Sequence, residues 1–232
     1  MLGLGGGILM VPLEHFVFGL PMSVAISVSL AGVVATSIAS SIRFSKQETV
    51  NVPLGVLIQL AAVTGAIVAV FTVQAIPEKI VKIVFAVALV VGAVVMMTRR
   101  ENGQSEDAGI TALGDLRHRK LGMLVYLISG YATVMLGIGG GIIRVPTMYL
   151  LMKTKLKEAM ATSVFVIGLP ASVGAIGYAT ADKLDFRLAI FSILGMLAGA
   201  SLGAGFVPKV RATALKVVFA FVMIYAGIRM VW

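Results

Sequence analysis

Two ten-residue stretches hold the residues best suited to chemistry: Gly3–Pro12 (GLGGGILMVP) and Gly137–Pro146 (GIGGGIIRVP). Glycine lacks a side chain, so its backbone reaches conformations closed to other residues and lets a ligand approach closely. Runs of N–H groups at Gly5, Gly6 and Gly7, and at Gly139, Gly140 and Gly141, followed by the positive end of a helix, favour an anion. Pro12 and Pro146 suit the first turn of such a helix, where a missing N–H costs nothing. The plainer alternative is that these glycines only make tight turns for packing.

Arg144 lies inside the second stretch, where the first has Met10. An arginine at bilayer depth costs at least ~2.5–3.5 kcal/mol on insertion scales. Two readings stand at this stage. The guanidinium binds an oxyanion through paired hydrogen bonds, or it snorkels to the surface near Lys153. Ser29, Thr162 and Ser163 offer hydroxyls to an anion, although such groups more often bond back to their own helix. Glu14, His15 and Glu158 are the candidates for proton coupling; each lies near an expected helix end, which favours a loop role.

Other chemistries are poorly served. There is no cysteine, so disulfides, thiol catalysis and thiolate metal sites are excluded. Two histidines, His15 and His118, do not make a convincing metal cluster. Neither glycine run carries the lysine and Ser/Thr of a P-loop, and a dinucleotide fold would need flanking strands. No Ser-His-Asp set or pair of buried carboxylates is evident. The sequence therefore points away from an enzyme and calls for neither cofactor nor metal.

The elements that position these residues follow from composition. Hydrophobic residues make up 59% and charged residues 12%, against roughly 25% charged in a soluble domain. Mean hydropathy is +1.04. This is an integral membrane protein, and apolar runs of about 20 residues indicate helices rather than a barrel. The net charge of +9 reads as cytoplasmic loop anchors rather than a nucleic-acid surface.

The chain is duplicated. A single shift of 134 superposes the two glycine stretches and pairs Ala25 with Ala159, Ser29 with Ser163, Gly65 with Gly199 and Phe85 with Phe219. Spans are expected at Met22–Phe44, Val52–Ile76 and Lys79–Thr98, then at Glu158–Tyr178, Leu184–Val207 and Ala212–Trp232. The expected organisation is residues 1–98 as the first repeat, 99–120 as a cytoplasmic linker and 121–232 as the second repeat. Leu121–Leu136 precedes the second glycine run. The first run has only Met1–Leu2 before it, so the first repeat is expected to lack that arm. Gly195, Gly199 and Gly203, with Ala61, Gly65 and Ala69, recur at spacing four and suit close helix packing.

Leu121–Met152 fits either one long broken span, giving parallel repeats, or a re-entrant hairpin, giving three full crossings per half and inverted repeats. With the hairpin, thirteen loop lysines and arginines fall on the linker side and five on the other; the broken span divides them ten to eight. The positive-inside rule favours the hairpin. The fold class is thus all-α: a polytopic helical bundle of two inverted repeats, each a glycine-broken hairpin plus three spanning helices. A homo-oligomer is compatible with this reading.

The doubled GxGGGxxxVP motif, with Ala25–Ser29 (AISVS) and Ala159–Ser163 (AMATS) after it, resembles the sulfite exporter TauE/SafE family of membrane transporters. The resemblance spans Gly3 to Trp232. It implies a multi-pass protein of the cell membrane that exports sulfite, sulfonates such as sulfoacetate, or another small anion. Alternating access in a carrier and an anion-selective channel are both compatible with the residues.

Overall fold

The structure, a computed structural model, describes residues 6–45, 52–98, 116–151, 156–206 and 212–231. Among these there is no strand. The helices are α1 (Gly7–Phe16), α2 (Met22–Ser45), α3 (Val52–Thr72), α4 (Glu78–Thr98), α5 (Leu116–Leu136), α6 (Gly141–Leu151), α7 (Leu156–Thr180), α8 (Phe186–Phe206) and α9 (Ala212–Val231). A 3-10 turn, Val73–Ala75, extends α3. Hydrophobic runs bounded by Pro, Gly and charged residues set these limits, and a helix matches each expected span within two residues at both ends, apart from the 3-10 end of α3. One boundary moves further: Leu116–Lys120, expected in the linker, forms the first turn of α5. The rest of that linker lies outside the described residues.

Among the described residues, three stretches are long and apolar enough to cross a membrane: Met22–Ile42, Gly55–Ala75 and Glu158–Thr180. The packing is inside-out relative to a soluble protein. Phe71 and Phe191 are 80% and 73% exposed on the outer surface, while Arg144 is fully buried. Such an apolar exterior suits lipid.

A shift of 134 carries the first residues of α1, α2, α3 and α4 onto those of α6, α7, α8 and α9. The packing follows the same rule. α3 packs on α7 as α8 packs on α2; α1 packs on α2 as α6 packs on α7; α2 pairs with α7 and α4 with α9. α2 and α7 run in opposite directions. Ser27 Oγ donates to Lys183 O at 2.8 Å, Leu30 packs on Gly174, and Ser37 Oγ donates to Val164 O at 2.8 Å.

The small-residue stripes differ from each other. Gly65 meets the backbone of Leu127 on α5, and Gly130 meets that of Ala62 on α3, so these two helices touch at their main chains. A side chain at either glycine would force them apart. Gly195 and Gly199 instead face open space; the expectation of close packing is not met there, because no described helix lies against them.

Candidate functional site

Each glycine run ends in a short helix whose first turn lies deep in the protein. Gly6 takes φ +76°, and Gly137, Gly139 and Gly140 take +66°, +84° and +68°. These left-handed conformations are what glycine permits and other residues resist. The turn at Gly137–Gly140 reverses the chain, and α6 folds back along α5. Two bonds fix this reversal, from Arg144 on α6 to Ser129 and Thr133 on the last turns of α5. A straight continuation of α5 into α6 would carry Arg144 away from both.

The two turns meet. Gly7, the first residue of α1, lies against the carbonyl of Gly137. Ser29 Oγ on α2 donates to that same carbonyl at 3.1 Å. The start of α1 therefore lies against the glycine turn that leads into α6. In the first turn of each helix, N–H groups lack partners within the helix and carry the positive end of its dipole. Ile143 and Arg144 N–H both reach Gly140 O, at 3.2 and 3.1 Å.

Arg144 lies one turn beyond this convergence and points back toward it. Its Nε donates to Ser129 Oγ at 2.7 Å and Nη2 donates to Thr133 Oγ1 at 3.1 Å. Thr133 donates in turn to Ser129 O at 2.8 Å, so the hydroxyls are themselves held. Tyr126, three residues before Ser129 on α5, is also buried. Nη1 is buried and has no hydrogen-bond partner. Among the described residues the guanidinium has no carboxylate counter-ion. The geometry decides between the two sequence readings of this side chain: it does not snorkel.

Other expected site residues take different places. Gly6 and Gly7 lie at the start of α1 and Gly139–Gly141 at the turn into α6, while Gly5 lies outside the described residues. Ser29 ties down a glycine turn, its hydroxyl donating a hydrogen bond to Gly137 O. Thr162 and Ser163 are buried on α7 and engaged within the protein. Pro12 and Pro146 are the sixth residues of α1 and α6. They fall past the first turn expected for them, because helix begins immediately after the left-handed glycine. Each therefore removes one helical hydrogen bond.

Sequence reasoning missed Tyr126, Ser129 and Thr133. Their signal was present: they are spaced i, i+3, i+7 on the apolar α5, one polar stripe on one helix face. Glu14, expected as a loop residue, is buried in α1. His15 Nδ1 donates to Leu20 O at 2.7 Å, closing the turn after α1. Among the described residues no group of His, Asp or Glu could hold a metal ion.

A sequence profile described as Sulfite exporter TauE/SafE matches residues 1–230. The chain is 23% identical to "Probable membrane transporter protein YunE" of Bacillus subtilis, over all of this chain and 92% of that protein. It is 27% identical to a "Probable membrane transporter protein" of Methanocaldococcus jannaschii, over 99% of this chain and 89% of that one. A second Bacillus subtilis protein of the same description, YdhB, is 24% identical over 90% of this chain and 86% of its own length. No solved structure matches. With a whole-chain profile match and apolar helices throughout, this multi-pass membrane protein belongs to the sulfite exporter TauE/SafE family of transporters.

Proposed function

We propose that this protein is a secondary transporter that exports small sulfur oxyanions, sulfite or organosulfonates, across the cell membrane. The observation that carries this reading is Arg144: a fully buried guanidinium with one nitrogen unpartnered, next to the glycine turn that meets the start of α1. A bound oxyanion would supply the missing acceptor and the missing counter-charge. Tyr126, Ser129 and Thr133 then act as the frame that aims the guanidinium, while the N–H groups at Gly6–Gly7 and Gly139–Gly141 line the approach. Thr162 and Ser163 remain candidate contacts.

Residues 1–98 and 121–232 are read as inverted repeats joined by a cytoplasmic linker. The opposed directions of α2 and α7, and the exchange of α3–α7 with α8–α2 contacts, support this. A re-entrant hairpin at α5–α6 is supported by the fold-back of Arg144 onto Ser129. Inverted repeats meeting at unwound helices are the arrangement from which alternating access arises.

The test is a thermal-shift panel on detergent-purified protein with sulfite, sulfoacetate, taurine, sulfate and chloride, beside Arg144→Ala. Stabilisation by a sulfur oxyanion that is lost in the variant supports the reading. Equal stabilisation of the variant, or none of either protein, contradicts it.

A further inference from the structure

Among the described residues, Glu14 is the other charged residue buried between the helices. It is the eighth residue of α1 and only 3% exposed. The Ser192 hydroxyl of α8 adjoins it without satisfying it. Both carboxylate oxygens and Ser192 Oγ are buried and lack a partner of hydrogen-bonding geometry. Among the described residues no cation pairs with it. On α1 the neighbouring titratable group is His15, which is turned to Leu20 O. The only charged residue in α2 is Arg43, near its far end, and the only one in α8 is Arg187, in its first turn. On α9, Arg229 lies 5.5 Å over the Phe16 ring, and Lys216 is the only other charge. Asp182, Lys183 and Asp185 lie in the loop before α8.

The same slot exists twice, and its other copy is apolar. A shift of 134 takes Glu14 to Met148 and Ser192 to Ile58. Met148 and Ile58 pack in one hydrophobic cluster, almost fully buried. The architecture therefore does not need a carboxylate here. An unpaired buried carboxylate is costly, and a neutral carboxylic acid costs far less. The reciprocal swap occurs at Arg144, whose counterpart is Met10. Each short helix thus holds one charge of opposite sign where its twin holds methionine.

Accepting the anion site at Arg144 as proposed above, we propose that Glu14 is a proton-binding site that couples one proton to each transported anion, moving in the same direction. Two loadings leave no net buried charge. One is empty, with Arg144 cationic and Glu14 anionic. The other is filled, with the anion on Arg144 and a proton on a Glu14 oxygen. Binding either ion alone leaves one net charge at bilayer depth, which is unfavourable. The anion and the proton, taken from water on one side and returned to water on the other, therefore favour each other's binding, and linkage makes the effect reciprocal. Because protonated Glu14 supports binding, anion affinity falls as pH rises through the range where Glu14 releases its proton.

The test uses methanesulfonate, an anion that stays ionised, with purified protein in weak buffer and a pH-indicator dye. Across the range where the empty site has released its proton and the filled site keeps it, wild type is expected to take up one proton per anion bound, and its affinity is expected to weaken by about tenfold per pH unit. Glu14→Gln, and Glu14→Met, which copies the twin residue, are expected to bind the anion with no proton uptake and no such pH dependence. Binding by wild type without proton uptake, or unchanged uptake in both variants, overturns the coupling assignment and leaves the anion site standing. Failure of wild type to bind any sulfur oxyanion removes the anion site, and the coupling assignment with it.

Discussion

Arg144 Nε donates to Ser129 Oγ at 2.7 Å across the turn that reverses the chain between α5 and α6. That bond fixes the direction of a buried charge and ties α6 to α5 at the same time. Its loss should be felt in ligand affinity more than in folding. A hydrogen bond to a charged group contributes about 1.5–3 kcal/mol. Ser129→Ala or Thr133→Val should therefore weaken sulfite binding roughly tenfold to a hundredfold, read as the concentration dependence of the thermal shift.

Arg144→Met copies the counterpart residue Met10. Replacing a buried charge with an apolar side chain of similar length is often neutral or stabilising. Ser129 and Thr133 each keep another acceptor, Gly140 O and Ser129 O. The variant should melt at or above the wild-type temperature without ligand, and lose the anion-induced shift. A large drop in the unliganded melting temperature would mean that the guanidinium holds the hairpin together.

Glycine substitutions should separate sharply. At Gly140 an added Cβ would stand 2.6 Å from Thr133 Oγ1 and 2.8 Å from Ser129 O, at φ +68°. Gly140→Ala meets the left-handed penalty of about 1–2 kcal/mol and also displaces both partners of Arg144. It should lower both the melting temperature and transport. Gly199→Ala meets nothing within 4 Å and should change neither. Melting curves and proteoliposome uptake on the same preparations check both.

Ser29 separates a tie from a ligand contact. Its bond to Gly137 O is an ordinary neutral one, worth about 1 kcal/mol. Ser29→Ala should lower stability by roughly that amount in a denaturant titration and leave the apparent affinity for sulfite within about twofold. A large loss of affinity at unchanged stability would make Ser29 a ligand residue.

Much of the fold was legible because membrane spans announce themselves by length and hydropathy, and because duplication let one half check the other. The glycine runs and the spans at Met22–Phe44 and Glu158–Tyr178 were all readable in this way. The direction of Arg144 was not, because snorkelling and inward aim depend on whether α6 folds back over α5. Nothing local to Arg144 encodes that. Its frame on α5 was readable in principle from the spacing of Tyr126, Ser129 and Thr133. Glu14 was misjudged for the same non-local reason: its buried surroundings include Ser192 of α8, more than 170 positions away in sequence. The prolines were misplaced because the left-handed glycine, and not the proline, sets the first turn.

The absence of cysteine makes topology directly measurable. Single cysteines at Arg117 and Lys153 should label from one side of the membrane and one at Lys183 from the other. Labelling of Arg117 and Lys153 from opposite sides would contradict the re-entrant hairpin.

The central claim is that the buried Arg144 is where the transported anion binds. Counterflow of labelled sulfite in proteoliposomes tests it most directly, with wild type beside Arg144→Met at matched protein and confirmed folding. The account predicts saturable counterflow for wild type and its loss in the variant. Undiminished counterflow by folded Arg144→Met would place the anion elsewhere.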